Sequence, residues 1–279
     1  MADVREITQN DLYAARIFFN SALPLLKVIV QDVPSIGKKF AGKSFLFQVS
    51  ALYDKAEKGK MATYFDVKDG VFTTHVSEVC DKPDIELEFA DLHKFITFFS
   101  GRGMPLPKLK GCIAHLGVFI ALLQALLKMA GLLQATEPPK DEADQKLLVK
   151  LYFYLLANGI SQLNKAGHEK THAWTLASPD RAYSFLVDGE PELASYLRIY
   201  EGNSKAGHGP YPRCKPFLAL RFDSAPHALD ILMGKGDMLD YVAKEYLTID
   251  GAPELAGVLS EYMFAVSDFA KGAYLDWPA

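Results

Sequence analysis

The chain has 279 residues, 49% hydrophobic and 23% charged, with a formal net charge of −4. That length suits two domains with a core each, and the composition excludes a disordered chain. No Lys/Arg block is longer than a pair, which argues against a nucleic-acid partner.

In chain order, Thr8-Gln9-Asn10-Asp11 reads as a helix cap. It leads the apolar series Leu12, Ile17, Phe18 and Leu23, with Pro24 as a kink or restart. Strands are expected at 44–49 and 61–67, where Asp69-Gly70 is a hairpin turn signal, and again at 71–79. Residues 84–89 alternate polar and apolar, as in a strand with one wet face. Residues 91–100 read as a helix closed by Gly101. Residues 113–133 are almost wholly apolar, interrupted by His115, Gln124 and Lys128. Those residues and two glycines make a poor membrane span, so the helix is expected to be buried or covered by something greasy.

Glu137-Pro138-Pro139-Lys140-Asp141 is a linker, which divides the chain into 1–136 and 141–279. The second half opens with a helix at 141–165. Strands follow at 173–176, 182–187, 196–200 and 217–222. Helices at 224–233, ending at Gly234, and at 253–271 complete it.

The halves repeat one another. Residues His75 to Gly103 overlay His208 to Gly236 at a shift of 133, pairing Lys82-Pro83 with Lys215-Pro216 and Gly101 with Gly234. Upstream, Tyr64 overlays Tyr196 at a shift of 132, which puts one extra residue in the turn between. Each half therefore reads as helix, antiparallel strands, helix and terminal apolar helix, an α+β layer. One departure stands out: eight steps separate Gly103 from Gly111, but fifteen separate Gly236 from Gly251.

Three stretches carry a family resemblance: Tyr64 to Gly70, Pro83 to Phe89, and Phe98-Phe99-Ser100-Gly101 followed by Lys108-Leu109-Lys110-Gly111. Their counterparts are Ile199 to Gly202, Phe217 to Phe222, Leu232-Met233-Gly234 and Leu247 to Gly251. In this order they resemble the sterol carrier protein 2 family of lipid-binding domains, present as two divergent tandem copies. The resemblance implies two sterol-carrier-like modules that hold a lipid or acyl chain in an apolar tunnel between sheet and helices.

The residues expected to contact that ligand are Phe95, Phe98, Phe99, Leu116, Phe119, Ile120 and Leu123 in the first half. In the second they are Leu255, Leu259, Tyr262, Met263, Val266 and Phe269. Each also suits a plain core position. The expected role is non-catalytic binding or transfer of a fatty acyl, phospholipid or sterol-like ligand, with no catalytic residue, metal or cofactor. A transient membrane surface and a homodimer are further expected partners. An accessory subunit with the apolar helix as an oligomer seam is the alternative.

A zinc metallopeptidase is a third reading, because His168-Glu169-Lys170-Thr171-His172 matches H-E-x-x-H, with Glu192 as a distant third ligand. The β-prone Ala173-Trp174-Thr175-Leu176 and the overlay with a loop at 37–43 place this stretch in a strand or loop, which would splay the histidines. His75 and His208 read as a symmetric structural pair or a headgroup anchor. Cys80, Cys112 and Cys214 lie far apart and suit a reducing compartment. The polar Met1 to Glu6 has no signal-peptide core, and the terminal tripeptide is no peroxisomal address, so the cytoplasm is expected.

Overall fold

In the computed structural model, residues 6–277 are described. The run before Glu6 and the final two residues, where the absence of a leader and of a peroxisomal address was expected, lie outside them. The chain forms two compact units. The first runs to Ala130 and also takes in the chain from Asp268 on, and the second is Gly131–Ser267. This differs from the division at the proline linker chiefly in the C-terminal residues.

The first unit begins with α1 (Gln9–Ile17), whose Thr8 and Asp11 form a reciprocal capping box. A π-turn over Phe18–Ala22 precedes Pro24, and α2 (Leu25–Asp32) restarts after it. The short α3 (Pro34–Gly37) leads to β1 (Phe45–Leu52), β2 (Lys60–Lys68), β3 (Val71–Val76) and β4 (Ile85–Phe89). Then come α4 (Leu92–Phe99), β5 (Lys108–Lys110) and α5 (Leu116–Leu133). The second unit holds α6 (Glu142–Lys165), α7 (Glu169–Ala177), β6 (Arg181–Val187), β7 (Ser195–Tyr200), β8 (Asn203–His208) and β9 (Leu218–Phe222). It ends with α8 (Ala225–Leu232), α9 (Met238–Ala243), β10 (Leu247–Gly251) and α10 (Ala256–Ala270).

The fold is α+β, with a five-stranded sheet and helices in each unit. The first sheet has the order β3-β2-β1-β4-β5, and the second has the matching order β8-β7-β6-β9-β10. Each has one parallel pair, β1 with β4 and β6 with β9, and is otherwise antiparallel. The register matches as well: Phe47 opposes Phe65 and Ile85, just as Tyr183 opposes Leu197 and Leu218.

Small details repeat too. Thr63 Oγ1 donates to the Phe19 carbonyl at 2.7 Å, and Ser195 Oγ donates to the Phe153 carbonyl at 2.9 Å. Asp69-Gly70 and Glu201-Gly202 both turn their hairpins with two positive φ angles. Gly111 and Gly251 sit where a Cβ would lie 1.8 Å from the Asp84 carbonyl oxygen and 2.0 Å from that of Phe217.

The structure corrects three expectations. Residues 173–176 belong to α7 and are not a strand. The hairpin turns are equal in length, so the 132-residue shift holds through Ser77 and Gly209, both at positive φ. The extra residue falls beyond them, before β9. It follows that His75 and His208 are not equivalent. His75 pairs with Tyr64 across the strands, and Tyr196 occupies the same place beside Gly207. The longer connection of the second half is filled by α9, for which the first unit has no counterpart.

Candidate functional site

Helix α5 has an unusual distribution of exposure. Leucine and alanine favour the helix throughout, and apolar residues occupy almost every position. On one side Ala121, Leu122, Ala125, Met129 and Leu132 are buried. On the other, Leu116, Ile120, Leu123 and Leu127 are 56%, 48%, 36% and 69% exposed, and Ile113, just before the helix, is 93% exposed. The spacing of four, three and four residues places Leu116, Ile120, Leu123 and Leu127 in one row of α5. Lys39 Nζ donates to Gln124 Oε1 beside this row. Among the described residues, two helical stretches are long and apolar enough to cross a membrane: Gln9–Asp32, mostly buried, and Leu116–Leu133, mostly exposed.

The expected ligand-contact residues fall into different settings. Leu116, Ile120 and Leu123 join the open row, and Phe119 is half-buried beside them. Sequence periodicity, carried one step further in each direction, would have added Ile113 and Leu127. Phe95 is fully buried, stacked on Phe19 at 4.0 Å and packed against Phe99 and Phe89 at 4.8 and 5.5 Å. Phe98 meets Phe89 and Phe99, both at 5.3 Å. These rings pack on one another among α4, β4 and the π-turn at Phe18–Ala22.

In α10, Leu259, Val266 and Phe269 are fully buried and Tyr262 nearly so. Tyr262 stacks on Trp174 at 4.5 Å. Val266 lies so close to Gly159 that a Cβ there would meet it at 2.4 Å. Phe269 packs against Tyr13 and Tyr274. Leu255 and Met263 are half-buried. A cavity of about 370 Å³ in the second unit is lined by Glu142, Gln145, Lys146, Asp188, Glu190 and Asp223 among others, and by none of the thirteen expected residues.

The H-E-x-x-H stretch lies on a helix after all. His168 is the N-cap of α7, and its Nδ1 lies 2.9 Å from Thr171 Oγ1. Burial, and then Lys170, push its imidazole below the usual pKa. One turn on, His172 Nδ1 is 2.9 Å from Asn164 Oδ1. Asn164 also binds Thr175, Ser204 and the Gly202 carbonyl, so the stretch ties α6, α7 and the β7–β8 hairpin together. Among the described residues no group of three or more His, Cys, Asp or Glu side chains is placed to hold a metal ion. His75 stacks on Tyr64 at 4.4 Å, while His208 stacks on Tyr154 of α6 at 3.7 Å.

The first sheet also buries a carboxylate that the sequence pattern did not single out. Glu86, on the face away from Phe47 and Val49, accepts from Gln48 Nε2, Ser50 Oγ and Lys60 Nζ, each at 2.7 Å, and from Lys110 Nζ at 3.0 Å. Burial pushes this carboxyl up. The hydrogen bonds from Lys60, Ser50, Lys110 and Gln48 together outweigh that effect and hold it at about 2. Glu88 shares both lysines.

No family model matches the chain, and no curated protein matches it. Several solved structures give partial overlays. A double mutant of a sec-alkyl sulfatase is 16% identical, with a TM-score of 0.31 over 53% of this chain and 21% of that one. The stereoselective inverting sec-alkylsulfatase from Pseudomonas sp. is 10% identical, with a TM-score of 0.25 over 55% and 28%. A conserved hypothetical protein from Thermus thermophilus, for which sterol carrier protein is offered as a description, is 13% identical. Its TM-score is 0.28 over 44% of this chain and 84% of its own. The chain thus covers only 21% and 28% of the two sulfatase chains. Overlays at these scores carry no argument about activity.

Proposed function

We propose that this protein binds and carries a hydrophobic ligand of the fatty acyl, phospholipid or sterol-like class, without catalysis, and that it does so in the cytoplasm. The apolar part of the ligand rests on the open row of α5. One observation carries the proposal: four aliphatic side chains in a single row of α5, with Ile113 just ahead of it, face solvent on a helix whose opposite side is buried. Leaving such side chains wet forfeits about 1.5–3 kcal/mol each relative to burial. Covering them with an alkyl chain recovers about 0.8 kcal/mol per methylene. On this reading the ligand lies on the outer face of α5, and the stacked rings of Phe95, Phe98 and Phe99 serve as core. The sterol-carrier resemblance of the sequence points to the same ligand class.

The test is titration of delipidated protein with a fluorescent fatty acid. Saturable binding is expected, and the paired substitution Ile120→Asp and Leu127→Asp should weaken it by at least about tenfold, because two charges enter the apolar contact. Equal affinity in that variant would overturn the assignment. The three–four spacing also favours a second reading, in which the row is an oligomer seam in an accessory subunit. That reading requires a stable dimer by light scattering, reduced to monomer by the same paired substitution.

A further inference from the structure

Charge is spread unevenly along this chain. No Asp or Glu occurs from residue 92 to 136, although 34 acids in 279 residues would place about five there. This stretch contains β5, the approach to α5 and the whole open row. Its basic residues are Lys94, Arg102, Lys108, Lys110 and Lys128. Lys94, Arg102 and Lys110 are engaged by Asp91, Asp276 and the Glu86–Glu88 pair respectively. Lys108 is exposed.

A second acid-free stretch, 33–53, carries Lys38, Lys39 and Lys43. It borders the row, since Lys39 binds Gln124 on α5, one residue from Leu123 and four from Ile120. The exposed aliphatic row and the Lys39 that reaches α5 beside it thus lie in two segments that contain further basic residues besides Lys39 and Lys128, Lys108 exposed among them, and no carboxylate.

We propose that this face docks on an anionic lipid bilayer, with α5 lying in the plane of the interface. The inference takes the proposed apolar site as its starting point and names the surface that loads or empties it. A helix of this kind sinks its apolar side below the headgroups, while nearby lysines are drawn to anionic lipid. Gln124 and Lys128 within the helix favour lying on the bilayer over crossing it. A second copy is a poorer partner, because it would set the lysines of these two segments against their own copies.

The test is co-sedimentation of the full chain with vesicles of phosphatidylcholine alone and of phosphatidylcholine mixed with phosphatidylglycerol. Binding to the mixed vesicles should be at least about tenfold tighter and should weaken with added salt. The paired substitution Lys39→Glu and Lys108→Glu should lower it about tenfold. Ile120→Asp should lower it as much, with helical circular dichroism unchanged in both variants. Equal binding to both vesicle types, no binding to either, or a dimer that excludes vesicles would overturn the proposal.

The fluorescent fatty acid separates this inference from the carrier proposal. Wild-type protein that binds the fatty acid but no vesicle sinks docking alone. Protein that binds anionic vesicles but no fatty acid sinks carriage alone.

Discussion

Glu86 in the first sheet and Ala219 in the second occupy the same place, opposite Lys110 and Asp250 respectively. The neighbouring pair is kept in kind and reversed in sign: Glu88 meets Lys110, while Arg221 meets Asp250 at 3.0 Å. Gln48, which reaches Glu86, corresponds to Ser184, whose Oγ is buried with no hydrogen-bond partner among the described residues. The two units thus share backbone and register but diverge in how they satisfy the outer face of the sheet. Topology here is held by the apolar face and the turn geometry, which left the outer face free to exchange one polar arrangement for another.

The terminal helices diverge in the same way. Helix α10 buries Leu259 and Val266 completely, whereas α5 leaves Leu116, Ile120 and Leu127 in solvent.

The comparison is broken most severely at what the sheets share. Gly111→Ala and Gly251→Ala each drive a Cβ into a backbone carbonyl at positive φ. Each should cost about 4 kcal/mol or more, read by chemical denaturation. Similar losses in both variants would support the equivalence, and tolerance of either would refute it.

Next in size is Glu86→Ala, which gives the first sheet the residue of the second. Gln48 and Ser50 lose their acceptor and two lysines are left to share Glu88, a cost of about 3 kcal/mol. The same group sets an acid limit. Its carboxyl lies at about 2 when folded, against an ordinary value of 4.5. A depressed carboxyl contributes stability that is complete above the unfolded value and is lost as pH falls from about 4.5 through about 2. Denaturation midpoints of wild type and Glu86→Ala should therefore converge over that interval, and a constant gap would contradict the assignment. The smallest effect is expected from Ser184→Ala. Removing a stranded hydroxyl should leave stability unchanged or raise it by about 1 kcal/mol. A clear loss would mean that the hydroxyl has a partner.

Much of this architecture is legible in the sequence. The turn pairs, the helix-closing glycines and the alternating 84–89 strand all mark local geometry that one residue type satisfies best. Strand β8 is not legible, because Asn203-Ser204-Lys205-Ala206-Gly207-His208 has no apolar alternation and is held by its neighbour β7. Residues 173–176 mislead for a different reason. Their β-branched and aromatic character is overruled by the bonds that tie Thr175 Oγ1 and His172 Nδ1 to Asn164 Oδ1, which fix a helix there. The candidate site was half legible. The apolar character of 113–133 is plain, but which side faces solvent depends on what α5 packs against, and composition does not encode that. Glu86 escaped notice because an alternating strand puts charge on the face expected to be wet, and here that face is covered.

Native mass spectrometry of the purified chain tests the central claim most directly. The wild type should carry extra mass that organic extraction identifies as a lipid or acyl species, and the variant with Ile120→Asp and Leu127→Asp should lose it. A wild-type protein at its bare mass, which also fails to take up an added fatty acid, would contradict the claim.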